Sequence, residues 1–384
     1  MNHFPRPTLA AAIADELSGK TVLSDAQNGL FLAGPRRTGK TEFLRQDLKP
    51  ELERRGMLVI YVDLWEDKTR SPLASIAASL AQAVENNLSG VAGFVKGAGI
   101  DKISLPGGFN FDLSKIGKTD GLTLYQILNV LHQASKKPVV LIVDEAQHAL
   151  TNDDGDAAMS ALKSARDQMR SDGKSKLLLV MSGSHRDKLM RLLNSAATPF
   201  WGSQVRPLPL LEADFVAHLT RTVRQEKPEL ASVRQSVMEE AFTHMGHQPQ
   251  FLLDAIRSVL PASNDGAAFE SALLALAKER RATEREELTN TYLRLPPLQQ
   301  AVLQRLLEQG ENYRAFDAKS LAFYGAHSVT KVSVAQVQRA LDALRDNDPP
   351  LVWKSLRGDY SVYDQALSGW YAYLVASNNW PPRH

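Results

Sequence analysis

Short apolar runs alternate with amphipathic stretches over the first half of the chain. Runs rich in Val, Leu and Ile occupy Leu30–Ala33, Leu58–Leu64, Val139–Asp144, Leu177–Gly183 and Val205–Leu208. Each is almost free of polar breaks, the composition of a strand buried on both faces. Between them, apolar positions recur at helical spacing near 41–55, 72–87, 122–136, 157–171 and 185–194. Strands alternating with helices predict an α/β fold with a parallel sheet and right-handed crossovers. A glycine-rich stretch, Ser89–Gly121, interrupts the pattern and reads as a solvated insertion, a hairpin or a mobile loop.

Beyond Leu211 the strand pattern stops. Residues 212–283 predict a helical bundle with a break at Gly246–Pro249, and further helices are expected near 297–309, 317–323 and 333–346. The aromatic stretch "LVWKSLRGDYSVYD" then predicts a hairpin, turning at Arg357-Gly358-Asp359, before a last helix at 365–376. Three helices followed by a β-wing is the order of a winged helix-turn-helix.

The length of 384 residues favours two or three domains, and 43% hydrophobic with 23% charged residues is ordinary for a globular protein. No apolar run approaches the roughly 20 residues that a bilayer-spanning helix needs. The N-terminal "MNHFPRPTLAAAIADEL" carries acidic residues within its apolar part and reads as an amphipathic helix, not a secretory signal. A cytoplasmic location and no membrane partner are expected. The chain has no cysteine, which excludes disulfides, thiolate chemistry and cysteine-type zinc sites. Its net charge of +2 makes no global demand for nucleic acid.

The sharpest local signal is "GPRRTGKTE", Gly34 to Glu42, which follows a predicted strand and opens a predicted helix. Gly34, Pro35, Arg36, Arg37, Thr38, Gly39, Lys40 and Thr41 match the phosphate-loop pattern in full. Glycines let successive N–H groups curl toward phosphate oxygens, and the helix start adds its partial positive charge. Lys40 is placed to reach the β- and γ-phosphates and the Thr41 hydroxyl to ligate Mg²⁺, with Glu42 beside them. The second signal is "VVLIVDEAQHA", an apolar run ending in Asp144-Glu145. Open parallel sheets place their ligands at that end of a strand. Asp144 would hold Mg²⁺ through water, and Glu145 would polarise the attacking water as general base. An acidic pair at a strand end can also cap the next helix, a reading weakened by the phosphate loop upstream. A third run, "KLLLVMSGS", ends in Ser182, Gly183 and Ser184. A hydroxyl there could hydrogen-bond the γ-phosphate or the lytic water, or simply cap the helix that follows.

"GPRRTGKT", "LIVDEAQ", the "SGS" strand end, "GHQPQFL" and the winged-helix tail, in this order, resemble the archaeal-type P-loop ATPases, relatives of AAA+ and STAND NTPases. The resemblance implies a P-loop ATPase core at 1–211, a helical lid at 212–285 and a winged helix at 286–384. It implies ATP and Mg²⁺ as cofactors, a sensor role for Ser184 or Ser182, and a lid turn at Gly246–Pro249, with Pro249 against the nucleotide. An ATPase switch coupled to a partner, DNA or protein, through residues 333–358 is expected; the oligomeric state, a nucleotide-dependent homo-oligomer included, stays open. The other reading is a DNA-binding regulatory module whose nucleotide site controls assembly with little turnover. Two departures stand out. "TPFWGSQVR" lacks the family's intersubunit arginine, leaving Arg206 or Arg191 as substitutes, and no arginine follows the Gly246–Pro249 turn before Arg257. "DEAQ" also occurs in RNA helicases, but residues 212–384 show no strand–helix alternation for a second helicase domain.

The expected recognition helix, Ser333 to Asn347, offers Gln336, Gln338 and Arg339, and the wing offers Lys354 and Arg357. Strong DNA binders cluster Lys and Arg on such a face, whereas Asp342, Asp346 and Asp348 lie along or just past this one. Protein contact and DNA contact both stay open. The aromatics Trp353, Tyr360, Tyr363, Trp370, Tyr371 and Tyr373 are expected in a core rather than as a base-stacking platform.

Overall fold

The computed structural model describes residues 3–21, 24–67, 69–87, 123–151, 153–171, 174–184, 186–193, 199–201, 203–328, 332–354 and 358–382. The Ser89–Gly121 insertion, Gly202 and Arg357 lie outside the described residues. Chain contacts divide the protein into two units, Met1–Gly34 with Lys40–Leu208, and Pro35–Gly39 with Pro209–His384.

In the first unit the five apolar runs become the strands of one sheet. These are β1 (Leu30–Ala33), β2 (Leu58–Asp63), β3 (Val139–Asp144), β6 (Leu177–Gly183) and β7 (Val205–Pro207). All pair in parallel, in the order β2-β3-β6-β1-β7. Every residue of β3 and β6 is buried, as continuous apolar runs require. A small antiparallel hairpin, β4 (Arg170–Ser171) with β5 (Lys174–Ser175), was not foreseen, because two-residue strands leave no periodicity to read.

The helices of this unit are α1 (Pro7–Leu17), α2 (Lys40–Phe43), α3 (Lys49–Arg54), α4 (Pro72–Asn87), α5 (Leu124–Ser135), α6 (Asp153–Gln168) and α7 (Arg186–Met190). A π-helical turn, Leu44–Leu48, joins α2 to α3 within the stretch expected at 41–55. α5 begins with a reciprocal cap: Gln126 N–H donates to the Thr123 hydroxyl, and the Thr123 N–H donates to the Gln126 side chain. α6 starts earlier than expected, where acidic residues suit a helix N-terminus, and stops before the hairpin. α7 ends at Met190, and the chain continues to Leu193 in tighter i→i+3 turns. α1 supplies Ala10, Ile13 and Leu17 to a core with Leu44, Leu48 and Leu52 and the strand residues Val140, Ile142 and Val180. That core fixes the helix following the loop against one sheet face.

The second unit carries α8 (Ala213–Glu226), α9 (Gln235–His244), α10 (Pro249–Val259) and α11 (Gly266–Leu293), the last running continuously through residue 285. Then come α12 (Pro297–Gln309), α13 (Ala318–Ser328), α14 (Val334–Arg345), the antiparallel pair β8 (Val352–Lys354) and β9 (Tyr360–Val362), and α15 (Gln365–Ala376). This is the helix–helix–helix–hairpin order of a winged helix. Its core includes Val302, Tyr324, Leu341 and Val352, joined by Trp353, Tyr360 and Trp370. Tyr373 departs from the core expectation, 39% exposed. Among the described residues no helix is long and apolar enough to cross a membrane.

Candidate functional site

Strand order assembles the site. Because β6 lies between β1 and β3, the ends of three sequence-distant runs become neighbours at the carboxyl end of the sheet. The Gly34 N–H donates to the Gly183 carbonyl at 3.0 Å, tying the end of β1 to the end of β6. Lys40 and Thr41, at the start of α2, then meet the acids that end β3.

Lys40 Nζ donates to Asp144 Oδ1 at 2.7 Å and to Glu145 Oε1 at 2.6 Å. Thr41 Oγ1 donates to Asp144 Oδ2 at 2.6 Å, and the Tyr61 hydroxyl reaches the same oxygen at 2.9 Å. Ser182 Oγ donates to Asp144 Oδ1, as does the Glu145 N–H at 3.0 Å. Asp144, 0% exposed, is therefore a buried carboxylate with every donor a buried charge requires. Ser184 Oγ donates to Glu145 Oε2 at 3.0 Å, and Gln147 Nε2 also donates to that oxygen. Glu145 sits at φ +54°, an uncommon backbone for a non-glycine residue, held by its own N–H on Asp144.

Burial alone would push the Asp144 carboxyl up, but the Lys40 charge and the surrounding donors hold it down at about 2. Glu145 follows the same balance: burial raises it, Lys40 overrides burial, and the net shift is downward. Burial would lower Lys40, yet the two carboxylates hold it above its ordinary value. Asp63, register-paired with Asp144 on β2, is instead raised, by burial first and then by Asp144 and Glu145, against a hydrogen bond from the Trp65 N–H. A depressed carboxylate stabilises the fold above its unfolded pKa, and that contribution is lost as pH falls through the folded value. For Asp144 the window runs from its ordinary 3.8 down to about 2. A thermal-unfolding series across it should show the native protein losing stability steeply, and Lys40→Met losing less, because the main attraction is gone. Equal slopes would show that Lys40 does not set the Asp144 pKa.

The loop ahead of Lys40 has the backbone its glycines foretell. Arg37 and Gly39 lie at φ +63° and +84°, and the Thr38 hydroxyl donates to the Pro35 carbonyl at 2.7 Å. Left-handed residues in such a turn direct N–H groups into an anion-binding hollow. Pro35–Gly39 group with the C-terminal unit, where Arg36 lies 5.1 Å from the Tyr363 ring centroid and Arg37 5.2 Å from that of Phe251. Glu42 is exposed, 3.5 Å from the His3 ring. Pro249 opens α10, after a turn with Gly246 and His247 at positive φ. The His247 ring packs edge-on to Phe242. Arg206 is ion-paired with Glu16 and Asp25 of its own chain. Tyr61, Asp63 and Gln147 were not singled out from sequence. The Tyr61 and Asp63 signal was two polar side chains on one face of β2, and that of Gln147 its place after Asp144-Glu145.

Residues 23–190 match the family model of the AAA domain. The resemblance to AAA+-related P-loop ATPases is borne out over that segment, and the parallel sheet is a P-loop ATPase fold. A search of curated proteins finds no match. Among solved structures, the chain is similar to the Aeropyrum pernix ORC2 protein in its ADPNP-ADP complexes, with 14% identity, a TM-score of 0.48, and 97% of this chain and 94% of that chain covered. For the Aeropyrum pernix ORC1 protein in complex with DNA the values are 14%, 0.43, 98% and 94%. For Cdc6p from Pyrobaculum aerophilum they are 14%, 0.38, 97% and 95%. With TM-scores below 0.5, these likenesses carry no functional conclusion.

Proposed function

We propose, from the premise that residues 23–190 are an AAA-family P-loop ATPase domain, that this protein binds ATP with Mg²⁺ and hydrolyses it as a switch. The observation that carries the reading is the convergence of Lys40, Thr41, Asp144 and Glu145 within hydrogen-bond distance across two chain segments about a hundred residues apart. The donor set fits a hard divalent cation. Thr41 Oγ1 and Asp144 Oδ2 are adjacent oxygens, and among the described residues no cluster of three or more His, Cys, Asp and Glu could hold a metal. Mg²⁺ typically takes one or two protein oxygens and completes its shell with phosphates and water. Thr41 and Asp144 would hold the ion, which would offset phosphate charge when bound.

Lys40 would bind the β- and γ-phosphates, and the loop N–H groups would cradle them. Glu145 would orient a water and take its proton. The water oxygen bonds to the γ-phosphorus while the β–γ bridging oxygen leaves with ADP. Ser184, bonded to Glu145, would sense the same site, and the lid turn at Pro249 and the winged helix would carry its state to a partner.

The winged-helix surface favours a protein partner. Among the described residues, the exposed side chains on and just before α14 are Ser333, Val334, Ala335, Gln336, Arg339 and Ala343, one cation among them. Arg345 is paired with Asp342 and Asp346. Phosphate neutralisation supplies most non-specific DNA affinity, and this face offers little of it. Phosphate release should require Mg²⁺, stop on chelation, and change by less than about twofold when duplex DNA is added at low salt. Mg²⁺-independent release would refute the metal assignment. Salt-dependent DNA binding that survives Lys40→Ala would favour the DNA-binding module instead.

A further inference from the structure

We infer that Gln147 is a positioning residue that fixes which oxygen of Glu145 acts as the base. The inference deepens the hydrolytic reading above and rests on it. Gln147 is 1% exposed, on the 3-10 turn Ala146–Thr151 that follows β3. Its Nε2 donates to Glu145 Oε2 and lies 3.2 Å from Ser184 Oγ, which itself donates to Glu145 Oε2 at 3.0 Å. Amide, hydroxyl and carboxylate thus form a closed triangle linking the end of β3 to the end of β6.

Two features show that this amide is held by its donors. Gln147 Oε1 is buried and accepts no hydrogen bond, which ordinarily costs about 1–3 kcal/mol. Flipping the amide would bring Oε1 against the Glu145 carboxylate, acceptor against acceptor, so donation to Glu145 dictates the orientation despite the orphaned oxygen. The second feature is Gly183, whose φ is ordinary for any residue. A Cβ there would lie 2.3 Å from Gln147 Oε1 and 2.8 Å from Leu189 Cγ. Glycine at 183 is therefore a matter of space, and the space is filled by the amide.

The triangle divides the work of the Glu145 carboxylate. Gln147 and Ser184 engage Oε2, while Oε1 faces Lys40. Oε2 is held by two donors, and Oε1 loses its Lys40 partner when that ammonium binds the phosphates, so Oε1 is the atom left to take the proton from water. Losing the amide donor frees the carboxylate to rotate and misplaces Oε1 relative to the attacking water.

The test is the kcat and KM of ATP hydrolysis by Gln147→Met, which keeps the length and removes both amide atoms. kcat should fall roughly 10- to 100-fold with KM for ATP changed less than about twofold, as expected for misplaced chemistry with binding intact. Gly183→Ala, whose added Cβ crowds the amide and Leu189, should reproduce this split and covers the case in which Gln147→Met fails to fold. A wild-type kcat, or a parallel change in kcat and KM, in the folded variant would overturn the inference. A Glu145→Gln control separates the two readings. If it is inactive while Gln147→Met behaves as wild type, only the positioning role falls. If it hydrolyses at the wild-type rate, the assignment of the base falls, and this inference with it.

Discussion

Lys40→Met should weaken ATP binding roughly 10- to 100-fold, the value of a charge-assisted hydrogen bond, and should also destabilise the fold. Both effects come from one ammonium. Nζ bridges Asp144 and Glu145 at 2.7 and 2.6 Å, and it is the cation bonded to both. Removing one partner of a buried pair typically costs about 3–5 kcal/mol, because the remaining charge is left in a poor solvent. Asp144 keeps Thr41, Tyr61, Ser182 and the Glu145 N–H as donors, so the lower end of that range is expected. For a unit of this size, about 3 kcal/mol corresponds to a fall in melting temperature of roughly 6–12 °C. Thermal unfolding and an ATP titration read the two effects separately. An unchanged ATP affinity would remove Lys40 from the phosphate site whatever happens to stability.

The halves of this site differ in how far sequence reveals them. "GPRRTGKT" and "VVLIVDEA" are contiguous, and each couples a strand pattern to residue types that suit phosphate or metal chemistry. Loop, acids and sheet class were therefore legible before any coordinates. The supporting residues were not. Tyr61 and Ser182 reach Asp144 across 83 and 38 positions of chain, contacts that exist only because β2 and β6 flank β3. Parallel order is set by which helices cover which face, and no local pattern encodes it. Ser182 and Ser184 could be read as a sensor or as a turn. Strand order makes both donors to the acid pair, one to each acid. The sequence assigns Arg36 and Arg37 to the nucleotide-binding loop but leaves their direction open; their guanidinium groups lie over the aromatic rings of Tyr363 and Phe251.

Glu145→Gln should lower ATP turnover roughly 100- to 10,000-fold, the usual contribution of a positioned general base. The substitution keeps the size of the side chain and leaves Asp144 to pair Lys40, so the cluster retains one full ion pair. ATP affinity should therefore stay within about threefold of the wild type, since uniform binding is untouched. Stability should change far less than in Lys40→Met, because no buried charge loses its partner.

That contrast supplies the most direct test of the hydrolytic site: phosphate release at saturating ATP and Mg²⁺, measured for the wild type and Glu145→Gln side by side, with bound nucleotide quantified in both. The structure predicts turnover in the wild type and near-complete loss in the variant, with ATP still bound. Equal rates in the two proteins, or a wild type that binds no ATP, would contradict it.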